Sequence, residues 1–85
     1  MNRYLIESPH SGEQCLDILK QAVAAGYVTH FEWGCKAGRH TGWIILEAEN
    51  EAQALLAVPV LVRPKATIVQ LNRFSPEEVN SMHNR

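Results

Sequence analysis

YVTHFEWGCKAGRHTGWIIL, residues Tyr27–Leu46, holds two apolar-rich runs on either side of Lys36-Ala37-Gly38. Aromatic and β-branched residues crowd Tyr27–Cys35 and again Arg39–Glu47, and a glycine-containing turn between such runs predicts a β-hairpin. Trp43-Ile44-Ile45-Leu46 is apolar at both parities, the pattern of a strand covered on both faces. The same stretch brings His30, Cys35 and His40 close together in sequence. A three-residue turn over Lys36–Gly38 sets His40 on one face with His30 and Glu32, whereas a two-residue turn at Ala37-Gly38 pairs His40 with Cys35 on the opposite face. Both parities of the second strand are apolar, so hydrophobicity does not choose between them.

Working outward, Arg3–Glu7 is a β-favouring run closed by Pro9, His10, Ser11 and Gly12. Ser11 with Gln14 forms a capping-box pattern that opens a helix over 12–25. Cys15, Leu16, Leu19, Ala22 and Val23 recur there at helical spacing, and Gly26 is placed to stop it. Asn50 with Gln53 repeats the capping pattern before a short helix over Ala52–Val58, which Pro59 ends. Val60–Lys65 reads as a proline-bounded connection and Ala66–Phe74 as a last strand. Ser75-Pro76-Glu77-Glu78 starts a short, fraying terminal helix over 75–85. The order β-α-β-β-α-β is that of the ferredoxin-like split motif: an α+β domain spanning 1–85, with a four-stranded antiparallel sheet, two helices on one face and the other face bare.

By length, element order and the opening RYLIESPH (residues 3–10), the chain resembles the dimeric α+β-barrel superfamily. That group includes muconolactone isomerases, cofactor-free monooxygenases of the antibiotic-biosynthesis type and small nickel-binding members. The resemblance covers nearly the whole chain as architecture and implies a homodimer whose bare sheet faces enclose a cavity. It carries over no catalytic residue, because no enzyme motif maps onto this chain position by position.

Eighty-five residues form a marginal core, so a partner subunit is expected on size alone. Charged residues are 20% of the chain and the formal net charge is −1, which argues against a phosphate-binding nucleic-acid protein. No apolar run reaches membrane-spanning length. The two cysteines, on regular elements with no leader before them, point to a reduced, cytoplasmic protein.

Alternation along each strand then assigns side chains to faces. Tyr4 and Ile6, Phe31 and Trp33, and Val69 and Leu71 are the apolar sets expected to face the helices. The bare face would carry Arg3, Glu7, His30, Glu32, Gln70 and Asn72, threaded by Leu5, Val28 and Ile68. Such a mixed surface is read first as a binding module for a small organic ligand contacted by Arg3, Glu7, His40, Trp43, Gln70 and Asn72. A transition-metal site of nickel or zinc on His30, Cys35 and His40 is a variant of that reading. The alternatives are a cofactor-independent isomerase or monooxygenase, with His30 as base, Glu32 beside it and Arg3 and Asn72 holding substrate, and a structural protein with no ligand. Of the rest, His10 is expected in a solvated loop, Cys15 as a small buried hydrophobe, and Gly34 and Gly42 at a bulge or a close backbone approach.

Overall fold

A computed structural model describes residues 1–83; Asn84 and Arg85, the end of the expected terminal helix, lie outside the described residues. The elements are β1 (Asn2–Pro9), α1 (Cys15–Ala25), β2 (Glu32–Trp33), β3 (Thr41–Ala48), α2 (Glu51–Leu55), β4 (Thr67–Leu71) and α3 (Pro76–His83). Short 3-10 helices, Cys35–Ala37 and Val60–Lys65, join β2 to β3 and α2 to β4. The sheet is antiparallel with strand order β2-β3-β1-β4. The chain is thus an α+β protein with a four-stranded antiparallel sheet.

All three local start signals hold. The Ser11 and Asn50 side chains accept from the backbone N–H of Gln14 (3.1 Å) and Gln53 (2.9 Å); the Gln14 side chain accepts in return from the Ser11 N–H, and that of Gln53 from the N–H of Glu49, one residue before the cap. Ser75 and Glu78 repeat the arrangement before α3. Gly26 ends α1 in the left-handed region at φ 81°, and the Tyr27 N–H donates to the Ala22 carbonyl 2.9 Å away.

The core lies on the face where Tyr4 and Ile6 of β1 and Ile44 of β3 meet Ile18 of α1, Ala54 of α2, and Val58 and Val62 of the following segment. On α1 the buried stripe differs from the expected one. Ile18 and Ala22 are buried and Cys15 and Leu19 half-buried, at spacings of three and four, while Leu16 and Val23 are flanking positions, each 61% exposed.

β2 is only two residues long instead of the expected nine, because the chain keeps winding after α1. The His30 and Phe31 N–H groups both donate to the Tyr27 carbonyl, which holds residues 27–31 in a turn. The alternation of side chains that was to send His30 to the bare face therefore never starts at His30. Glu32, opposite Trp43, does lie on that face, and Phe31 and Trp33 do look toward the core, stacked at 5.1 Å. Both strand glycines sit at close approaches: a Cβ on Gly42 would lie 2.8 Å from the Trp33 ring, and one on Gly34 2.6 Å from the Arg39 carbonyl oxygen.

In β4 the parity is the reverse of the expectation. Ile68 pairs with Ile6 and Gln70 with Tyr4, so these two lie on the helix side, while Val69 and Leu71 oppose Leu5 and Arg3 on the bare face. The apolar pair Val69 and Leu71 gave way to Ile68 and Gln70 because on this edge strand the register with β1, rather than the strand's own hydrophobicity, fixes the faces. The uncovered face is in consequence more apolar than expected, with Ile45 56% and Val69 51% exposed. In α3 every residue from 76 to 82 is exposed. This helix helps stretch the molecule to 51 × 27 × 21 Å, with a radius of gyration of 15.7 Å against about 12 Å for a compact chain of this length.

Replacing Ile6, which is fully buried, with alanine should cost about 2–5 kcal/mol, read as a lowered urea midpoint at unchanged slope.

Candidate metal centre

The β1–β3 ladder runs from Asn2↔Ala48 to Pro9↔Thr41, and one further backbone bond extends it: the His10 N–H donates to the His40 carbonyl at 2.9 Å. His10 and His40 are therefore cross-strand neighbours. By alternation they share the helix-facing side with Tyr4, Ile6 and Ser8. Their rings lie 5.7 Å apart, and the edge of Trp33 closes in on His10 at 6.2 Å.

Above them passes the lead-in to α1. The Ser11–Gln14 capping pair fixes this turn and delivers Cys15 as the first residue of the helix. Gly12 lets the turn cross the His40 ring, since even a bare Cβ there would come within 3.3 Å of Nε2. From the other side comes Cys35, the first residue of the 3-10 turn. That turn is closed by the Gly34 N–H on the Thr41 carbonyl and the Arg39 N–H on the Gly34 carbonyl, so the loop is wider than a two-residue turn, but the register, Glu32↔Trp43 and Trp33↔Gly42, is the one the two-residue alternative gives, with His40 opposite Cys35 and on the other face from Glu32. On the outer face the Arg39 guanidinium lies over the Trp43 ring and pairs with Glu7 at 3.4 Å, while the Trp43 indole N–H donates to the same carboxylate at 3.0 Å.

Four side chains converge as a result. One ligand atom from each of His10, Cys15, Cys35 and His40 lies within 4.8 Å of the other three. The Cys35 Sγ stands 3.4 Å from His10 Nε2. A tetrahedral ion with bonds of about 2.0–2.3 Å needs ligand atoms about 3.3–3.8 Å apart, so closure asks for inward shifts of about an ångström. His10 is buried and the other three are half-buried. The Nδ1 atoms of both histidines are buried with no hydrogen-bond partner among the described residues. An unsatisfied buried polar atom costs about 1–3 kcal/mol, a cost that one shared ion would offset at each ring it takes through Nδ1. Burial, and then the neighbouring His40, hold the His10 imidazole below its ordinary value of 6.5, which keeps it in the neutral form a metal requires. Burial, and then the Cys15 thiol, push the Cys35 thiol up, so without an ion it stays protonated. These four residues could hold a metal ion.

The expected metal set was His30, Cys35 and His40. Two of the three are present, but His30 is exposed in the turn after α1 with its ring edge against Tyr27 at 5.5 Å. No hydrogen bond or ion pair joins it to Glu32 among the described residues. In its place stand His10, expected in a solvated loop, and Cys15, expected as a plain hydrophobe. The centre also lies on the helix side of the sheet and not on the bare face. Of the remaining expected contacts, Glu7 and Trp43 border a depression of about 280 Å³ on the bare face. Arg3, Gln70 and Asn72 line another of about 530 Å³ at the far end of β1. Gln70 reaches it from the helix side, and Asn72 lies beyond the end of β4.

Compared with protein-family models, with curated proteins and with solved structures, the chain finds no match. Among the described residues no helix is long and apolar enough to cross a membrane.

In chelator-treated protein the lowered His10 value has a stability consequence. Below 6.5 the unfolded chain binds a proton that the folded chain refuses, so stability is complete above that pH and falls as pH drops toward the folded value. The urea midpoint should decline between pH 7.5 and 5.5, and decline less steeply in His10→Gln.

Proposed function

We propose that this chain is a transition-metal-binding protein and that its ion is zinc. The observation that carries the reading is the convergence of two imidazoles and two thiols from four separate backbone positions. Two sulfurs with two nitrogens suit tetrahedral zinc, whereas nickel favours square-planar nitrogen and oxygen sets. Four protein ligands leave no open position for substrate, which favours a structural or carrier role over catalysis. An ion there would join the end of β1, the start of α1 and the β2–β3 turn.

A second reading concerns the bare face. The strand order β2-β3-β1-β4 supports a ferredoxin-like domain, and the uncovered Leu5, Trp43, Ile45 and Val69 support a homodimer formed sheet to sheet, with a small organic ligand beside Glu7 and Trp43. The enzyme reading that relied on a His30–Glu32 pair has no comparable support, since His30 lies outside the strand.

Zinc added at 100 times its dissociation constant should stabilise the protein by about 2.7 kcal/mol, seen as a raised melting temperature. Cobalt(II) in its place should give the visible bands of a tetrahedral thiolate site. His10→Ala and Cys35→Ser should lose both effects, and His30→Ala should keep them. Equal responses in His30→Ala and His10→Ala would contradict this assignment of ligands.

A further inference from the structure

We infer that the centre is redox-gated: Cys15 and Cys35 join in a disulfide when a peroxide reaches them, and the ion leaves. The inference rests on the metal-binding reading and assigns a regulation to the same site. The chain has two cysteines and both are in the centre, in the free state. They come from different elements, the first residue of α1 and the first residue of the 3-10 turn, so their bond would tie two separate parts of the fold. Their sulfurs lie within 4.8 Å, and both residues are half-buried, so a molecule as small as hydrogen peroxide can reach them.

A sulfur–sulfur bond is about 2.05 Å long, so the sulfurs must close by up to about 2.7 Å, through rotation about each Cα–Cβ bond and a shift of the turn. The turn is suited to such a shift, being three residues long between Gly34 and Gly38. Sulfurs bonded to each other cannot both remain thiolate ligands, so oxidation removes half of the donor set and leaves His10 and His40 alone. Two neutral imidazoles hold zinc far more weakly than the complete set.

The chemistry balances with hydrogen peroxide as the oxidant. One thiolate attacks a peroxide oxygen, the O–O bond breaks, and a sulfenic acid and a hydroxide form. The second thiolate attacks that sulfur, the S–S bond forms and a second hydroxide departs. Two protons from solvent convert both hydroxides to water. Each sulfur gives up one electron, the peroxide takes both, and the zinc ion leaves with its charge unchanged.

The test is to load the protein with zinc, add hydrogen peroxide, and follow zinc release with a chromogenic chelator alongside thiol titration and intact mass. Zinc and both thiols should disappear together, with the mass falling by two hydrogens and no covalent dimer, and a dithiol reductant should restore binding. Cys15→Ser and Cys35→Ser should each block the mass change. Zinc retained after the disulfide forms, or thiols lost as sulfinic acid or as an intermolecular bridge, would overturn the gating while leaving the metal centre standing. Untreated protein that takes up no zinc would overturn both.

Discussion

One backbone hydrogen bond, from the His10 N–H to the His40 carbonyl, sets the geometry on which the candidate centre depends. It carries the β1–β3 register one pair beyond Pro9↔Thr41 and so makes the two imidazoles cross-strand neighbours on the core side of the sheet. Everything else in the centre is brought to that pair. The Ser11–Gln14 cap turns the chain over it and presents Cys15, and the Gly34–Thr41 closure presents Cys35. The Glu7, Arg39 and Trp43 cluster holds the same loop from the outer face. Glu7 and Trp43 thus have a structural task whether or not they also meet a ligand.

Features encoded within a few residues were legible in the sequence. Three caps, the glycine stop of α1 and the inward pointing of Tyr4, Ile6, Phe31 and Trp33 each depend on neighbours close in the chain. Features set by pairing between distant segments were not. Hydrophobicity alone placed Val69 and Leu71 inward, but β4 is an edge strand whose faces follow its register with β1. The nine residues 27–35 look like one strand, yet the hydrogen bonds to the Tyr27 carbonyl keep the first five in a turn.

The metal set was legible in part, and the missing half had a signal. His10–Cys15 and Cys35–His40 are two histidine–cysteine pairs with the same separation in mirrored order. Within the hairpin alone, His30-Cys35-His40 shows the same spacing, yet only Cys35 and His40 of that set converge. The strand parity that buried Tyr4 and Ile6 also continues through Ser8 to His10, all four of them buried. Extending that alternation by two more pairs would have taken His10 out of solvent.

The fold and the centre have different degrees of local support, which makes the ligand shell the decisive quantity. X-ray absorption at the zinc edge, on protein carrying one equivalent of the ion, reads that shell directly. The expected result is two sulfur neighbours at about 2.3 Å and two imidazole nitrogens at about 2.0–2.1 Å. A shell of oxygen and nitrogen alone, or one unchanged when Cys15 is replaced, would contradict the four-residue centre.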